Sequence, residues 1–264
     1  MQQWCTTLLY HRFSSTNILY PPGRATRGFQ AYDISGATLV FLKDMWRIDL
    51  PSIPAEGSTY ELLEEAHVPN IAHCIASGDV STTTYHATKT SAYTSALWAC
   101  PTDPHFIPHR HYCLVLDIIG RSLLEFESSL EMVKAVCDAI IVHKGAYDAG
   151  FLHRNFSPRN IIIDHDSSGL LIDWDLSKPL SVEIETPRRT TRTGTWQFMS
   201  GKLIAARDAP QDFKDDLEST LYILLWVATM YSSCSNPAQA GGLCTLFLIL
   251  SQAMSKPIPP SLIF

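Results

Sequence analysis

The sequence predicts an α+β fold of two lobes, a small β-rich one followed by an α-rich one. Three observations carry this. Short apolar runs broken by turn residues are confined to the first part of the chain. Helical periodicity dominates from residue 130 onward. A long polar stretch, residues 177–200, interrupts the helical half, and loops of that length inside a compact domain usually serve function.

The elements follow in order. Residues 1–22 show no strong pattern and end in Pro21-Pro22, a lead-in to a first lobe over 23–117. Strands are expected around Phe29–Asp33 and Thr38–Lys43, joined by a hairpin at Ser35-Gly36. Glu56–Ala66 is helix-permissive, with Glu56, Tyr60 and Leu63 on one face. Tyr112–Leu116 reads as a short apolar strand. The second lobe, 118–231, opens with a helix over Leu130–Tyr147, where Val133, Val136, Ile140 and His143 recur at helical spacing. Leu152–Ile163 gives loop and strand, Ser167-Ser168-Gly169 a tight turn, and Leu170–Ile172 a further strand. Leu217–Met230 is apolar on nearly every side and is expected to be buried all round. Residues 232–264 form an atypical tail, read either as a specialised extension or as the mark of a truncated second lobe.

Composition bounds the function. Of the 264 residues 46% are hydrophobic and 17% charged, which is globular and can bury a sizeable core. A net charge of −6 gives no general electrostatic grip on nucleic acid or an anionic membrane, so neither is expected as a partner. Seven scattered cysteines without a C-x-x-C pair argue against a disulfide framework and a zinc site. The start lacks signal-peptide character, and the longest apolar stretches fall short of the ~20 residues of a membrane span. The chain reads as soluble and intracellular, cytoplasmic or nuclear.

The densest chemical signal is HRNFSPRNIIID followed by GLLIDWD. Phosphoryl transfer with two magnesium ions needs an amide and a carboxylate aimed at the metals, and a carboxylate beside the attacking hydroxyl. The protein-kinase catalytic loop supplies these as H-R-D-x-x-x-x-N, then D-F-G after a hairpin. His153, Arg154, Asn155 and Asn160 keep that spacing, and Asp173-Trp174-Asp175 stands where D-F-G belongs. Upstream, Val40–Lys43 resembles the V-A-I-K strand, whose lysine contacts the α and β phosphates. Gly23, Ala25 and Gly28 fit a glycine-rich loop whose backbone approaches phosphates. Glu56 is the first choice for the lysine's ionic partner and Glu61 the alternative. Asp215-Asp216-Leu217-Glu218-Ser219 opens the apolar helix.

On these residues the chain resembles the fungal-type protein kinase domain family over roughly residues 20–231. The resemblance rests on GRATRGF, VFLKDMW, NIAHCIASGDV, HYCLVLDIIG, the catalytic-loop segment, LIDWDLSK, RTGTWQFMS and DDLES. The DDLES stretch also looks like the one in casein kinase one. The family implies a bilobal kinase fold with ATP and Mg2+ in the cleft between lobes, and a protein substrate or scaffold partner. It implies adenine contacts at Leu116, Asp117 and Ile119, metal ligation by Asn160 and Asp173, and a structural hydrogen bond from Asp216 to the catalytic loop. Lys43, Asn160 and Asp173 are then expected to converge on one magnesium-bound triphosphate.

The departure that matters most is Asn155, which stands where the family has aspartate. An amide accepts a hydrogen bond but carries no charge and cannot take a proton. General-base catalysis is typically worth ~10²–10⁴-fold, so catalysis is expected to be crippled. The alternative is a loop residue held by a local backbone bond. Arg154 is expected to pair with phosphate on Thr190, Thr191 or Thr193, which lie among Arg188, Arg189 and Arg192. Three functions compete: a nucleotide-binding pseudokinase, a weakly active serine/threonine kinase, and a small-molecule phosphotransferase or inactive fragment.

Overall fold

The structure is a computed structural model that describes residues 8–11, 26–51, 53–81, 86–93, 96–98, 108–181, 194–206 and 209–231. The described residues divide between two units. The first takes those up to Glu65 together with Ala72–Ile119, and the second takes Ala66–Ile71 together with those from Gly120 onward. β-Structure dominates the first and helices the second, as the α+β reading expects.

The first unit is a five-stranded antiparallel sheet with one helix. Strands β1 (Leu8–His11), β2 (Arg27–Asp33), β3 (Thr38–Ile48), β4 (Cys74–Asp79) and β5 (His109–Leu116) line up in the order β1-β2-β3-β5-β4. The β2–β3 hairpin turns through Ile34–Ala37, where the Asp33 carboxylate accepts from the Ser35 N–H at 2.9 Å. Side chains alternate along each strand, and Ala31, Val40, Ala76 and Val115 meet as a buried cluster on one face. Helix α1 (Glu56–Glu65) buries Glu56, Tyr60 and Leu63 together, the face its spacing predicts. A methyl group on Gly57 would collide with the Ser77 side chain, so glycine is what lets α1 approach the sheet. β1 lies in the stretch that shows no strong sequence pattern, because four residues on a sheet edge need only pair with β2.

The second unit is built on α2 (Ser129–Asp148) and α4 (Phe213–Tyr231). Ser128 caps α2, its hydroxyl accepting from the Glu131 N–H at 3.1 Å. The minor strands are β6 (Arg121–Ser122), β7 (Phe151–Leu152), β8 (Ile161–Ile163), β9 (Gly169–Leu171) and β10 (Lys178–Pro179). They form a three-stranded sheet β6-β8-β9 and a pair β10-β7. Gly169 lets β9 lie against the Ala135 backbone, where a Cβ would clash. A short helix, α3 (Gly201–Ala205), precedes α4.

The α2 helix forms as expected, and the expectation for α4 is corrected. The buried face of α2 is Met132, Ala135, Val136, Ala139, Val142, His143 and Ala146, while Val133 is exposed. Small alanines occupy the contact line because β9 packs so closely there. Helix α4 is not buried all round: Ile223 and Val227 are buried, but Leu217, Leu221 and Leu225 are exposed. Apolarity on every side reports composition, not which side meets a neighbour. Residues 232–264 lie outside the described residues. No helix among the described residues is long and apolar enough to cross a membrane.

Candidate functional site

In the first unit the sheet register sets the candidate residues. Gly28 on β2 stands opposite Lys43 on β3, and Lys43 stands opposite Leu114 on β5. Lys43 is buried, and its Nζ meets Glu56 Oε2 at 2.6 Å, with Glu56 buried as well. Glu56 rather than Glu61 makes this pair. As the first residue of α1, its carboxylate also gains from the positive end of the helix dipole. The Gly57 N–H donates to Tyr112 Oη at 3.1 Å and anchors the same helix end. Burial pushes the Tyr112 phenol up to about 12 and the Cys74 thiol up to about 11, so both stay neutral beside the ion pair.

The end of β5 is tied down by Asp117. Its N–H donates to the His73 carbonyl at 3.1 Å, and its carboxylate accepts from the His73 N–H at 2.9 Å. Leu116 is buried, Asp117 exposed, and Ile119 closes the first unit. Gly23 and Ala25 lie outside the described residues.

In the second unit, Asn155, Asn160 and Asp173 are brought together. Asn155 Nδ2 donates to Asp173 Oδ2 at 3.3 Å, and Thr195 Oγ1 donates to Asn155 Oδ1 at 3.4 Å. Asn160 Nδ2 donates to the Asn155 carbonyl at 2.7 Å, which leaves its Oδ1 as the atom able to ligate a cation. The Ile172 N–H donates to the Asn160 carbonyl at 2.9 Å, fixing the loop to the residue before Asp173. Asp173 itself is left-handed, φ +66°, a conformation few non-glycine residues adopt.

His153 sits at the centre of this loop, fully buried. Its Nε2 donates to the Ile172 carbonyl at 3.0 Å, and its Nδ1 accepts from the Asn155 N–H at 3.2 Å. Burial holds the imidazole at about 4, so it is neutral with the proton on Nε2. Trp174 packs edge-on against it at 4.6 Å. Arg154 is left-handed, φ +70°, and its N–H donates to Asp216 Oδ2 at 3.0 Å.

Asp216, buried at the start of α4, is the anchor of the loop. It accepts from His143 Nε2 at 2.9 Å and from Gln211 Nε2 at 3.0 Å. Gln211 also donates to the Arg154 carbonyl at 3.2 Å and accepts from Arg154 Nε at 3.3 Å. In the sequence His143 is a helix-face residue, and nothing singles out Gln211 or Thr195 individually. Their roles rest on distant contacts: His143 meets Asp216 73 residues away, Gln211 meets Arg154 57 away and Thr195 meets Asn155 40 away. Thr190, Thr191 and Thr193 lie outside the described residues.

Hard oxygen donors suit Mg2+, and the Asp173 carboxylate with Asn160 Oδ1 is a donor set of that kind.

Comparison with known proteins places the chain in a family. The family model described as fungal protein kinase covers residues 12–228. A protein of Encephalitozoon cuniculi named as a probable casein kinase I homologue is 28% identical over 146 residues, covering 50% of this chain and 45% of its own length. A probable serine/threonine-protein kinase, PknB, of Corynebacterium glutamicum is 24% identical over 127 residues, covering 48% of this chain and 18% of its own. The matched part thus spans less than half the length of each of these curated relatives.

Proposed function

The chain belongs to the fungal protein kinase family, and from that premise we propose that it binds ATP with Mg2+ as a pseudokinase. The observation that carries the proposal is the uncharged amide of Asn155 donating to the Asp173 carboxylate at 3.3 Å. At the base position of the catalytic loop a carboxylate would accept the proton of an attacking hydroxyl. The amide cannot, and here it spends a donor on the neighbouring carboxylate.

Each remaining residue keeps a binding role. Lys43, oriented by Glu56, supplies a positive charge to the α and β phosphates. Gly23, Ala25 and Gly28 give the backbone close access to them. Leu116, Asp117 and Ile119 receive the adenine. Asp173 and Asn160 hold the cation, which supplies charge neutralisation at the phosphate oxygens. His153 and Asp216 carry no proton in the reaction; they keep the loop in its left-handed turn. The protein partner is either a scaffolded client or a substrate whose hydroxyl reaches Asn155.

A second reading, a weakly active serine/threonine kinase, is favoured by one observation. The cation-binding pair Asn160 and Asp173 stays assembled around Asn155. Phosphoryl transfer runs through a loose transition state in which positioning and metal charge do most of the work.

The test is a thermal-shift titration with Mg-ATP, since a ligand of the native state must raise its stability. The expected result is a saturable rise that Lys43→Met abolishes. No shift at saturating Mg-ATP, with the protein folded, overturns nucleotide binding. Robust autophosphorylation by the unaltered chain overturns the pseudokinase reading and leaves the second.

A further inference from the structure

The sheet of the first unit brings together three metal-ligating side chains on the face opposite Lys43. Asp44 on β3 stands directly across from Cys113 on β5, and Trp46 stands across from His111. Alternation along the strands therefore sets Asp44, Trp46, His111 and Cys113 on one face, while Lys43 points to the other. A carboxylate oxygen of Asp44, an imidazole nitrogen of His111 and the sulfur of Cys113 all lie within 4.8 Å of one another. His111 Nε2 meets Asp44 Oδ1 at 2.6 Å.

The imidazole is held in place. Trp46 stacks on it from the β3 side at 5.3 Å and 18°, and His86 from the other side at 5.8 Å and 8°. The His111 N–H donates to the His86 carbonyl at 2.8 Å, which fixes the second flank. On β4 the residue opposite Cys113 is Gly78. Across from Asp44 on β2 stands Arg27, on the side away from His111. All three donors are half-buried, reachable by a cation from solvent.

From this juxtaposition we propose that Asp44, His111 and Cys113 form a binding site for a borderline-soft divalent cation, Zn2+ in the first place. Thiolate, imidazole and carboxylate are the three donor types this ion takes, at bond lengths of ~2.0–2.3 Å. Binding releases the Cys113 thiol proton to solvent, and the thiolate and carboxylate together neutralise the ion's charge. His111 exchanges its hydrogen bond to Asp44 for a bond to the metal, and water completes a tetrahedral set. The ion links β3 to β5 and stabilises the sheet. The site is independent of the nucleotide reading.

The test uses the full chain under a reducing agent, titrated with Co2+ and then Zn2+. The expected result is a thiolate-to-cobalt charge-transfer band that saturates at one equivalent and is bleached by Zn2+. Cys113→Ser abolishes the band, His111→Gln and Asp44→Asn weaken the affinity tenfold or more, and Cys137→Ser, at an exposed thiol on α2, leaves it intact. Zn2+ also raises the melting temperature of the unaltered chain but not of His111→Gln. Absence of the band at one equivalent overturns the proposal. So does a band that survives in Cys113→Ser, that is lost equally in Cys137→Ser, or that depends instead on the Asp164-His165-Asp166 group, read from Asp164→Asn.

Discussion

The amide of Asn155 points at the carboxylate of Asp173, 3.3 Å from Nδ2 to Oδ2, with Thr195 holding the other end of the amide at 3.4 Å. Two side-chain partners fix this residue, so it is more than a loop position closed by its own backbone. The contact also couples two predictions, one about stability and one about rate.

Replacing Asn155 by Asp sets two carboxylates within hydrogen-bonding distance and removes the donor between them. Like charges this close raise one carboxyl's proton affinity, so the metal-free variant should melt lower than the unaltered chain at neutral pH. Added Mg2+ should recover the loss and produce a larger thermal shift than in the unaltered chain. In the same variant, phosphoryl transfer to a generic protein substrate should rise by ~10²-fold or more, the worth of a general base. Equal activity in both proteins would remove the role assigned to Asn155.

The Lys43–Glu56 pair is buried on both sides. Removing one partner of such a pair costs about 3–5 kcal/mol, because a charge is left in a dry site, whereas replacing both with apolar groups costs far less. Glu56→Ala should therefore lower the denaturant midpoint more than the double change Lys43→Met with Glu56→Leu. Chemical denaturation of the two variants decides it.

Asp216 gathers donors from α2, from the Arg154 backbone and from Gln211. Asp216→Ala removes the acceptor of one buried and two part-buried donors, and hydrogen bonds to a charged acceptor are worth ~1.5–3 kcal/mol each. A loss of at least ~3 kcal/mol in unfolding free energy is expected. Leu217→Ala, at an exposed position one residue on, should change it by less than ~1 kcal/mol.

His153 gives a pH dependence with a definite sign. Its folded value, about 4, lies below the 6.5 of a free histidine. Between these values the unfolded chain binds the proton and the folded chain does not, so acid favours unfolding. The histidine's contribution to stability should fall as pH drops from 6.5 toward 4, by at most ~1.4 kcal/mol per pH unit. His153→Asn should flatten that part of the stability profile, as read from urea unfolding at stepped pH.

The strand-then-helix order, the spacing from His153 to Asn160, the position of Asp173 and the buried face of α1 are all legible in the sequence. Each of these is local: a period, a turn pair or a fixed interval along one segment. The rest depends on groups distant along the chain, which meet only when it folds. The choice of Glu56 over Glu61 came from where α1 meets β3, and the anchoring of the loop by His143 and Gln211 from where α4 meets it. The exposure of Leu217, Leu221 and Leu225 follows from which side of α4 has a neighbour among the described residues. The Asp44, His111 and Cys113 group is the clearest case, since no spacing rule relates residues that antiparallel register sets side by side. Periodicity fixes which way a side chain points within its own element. Only packing fixes what it then meets.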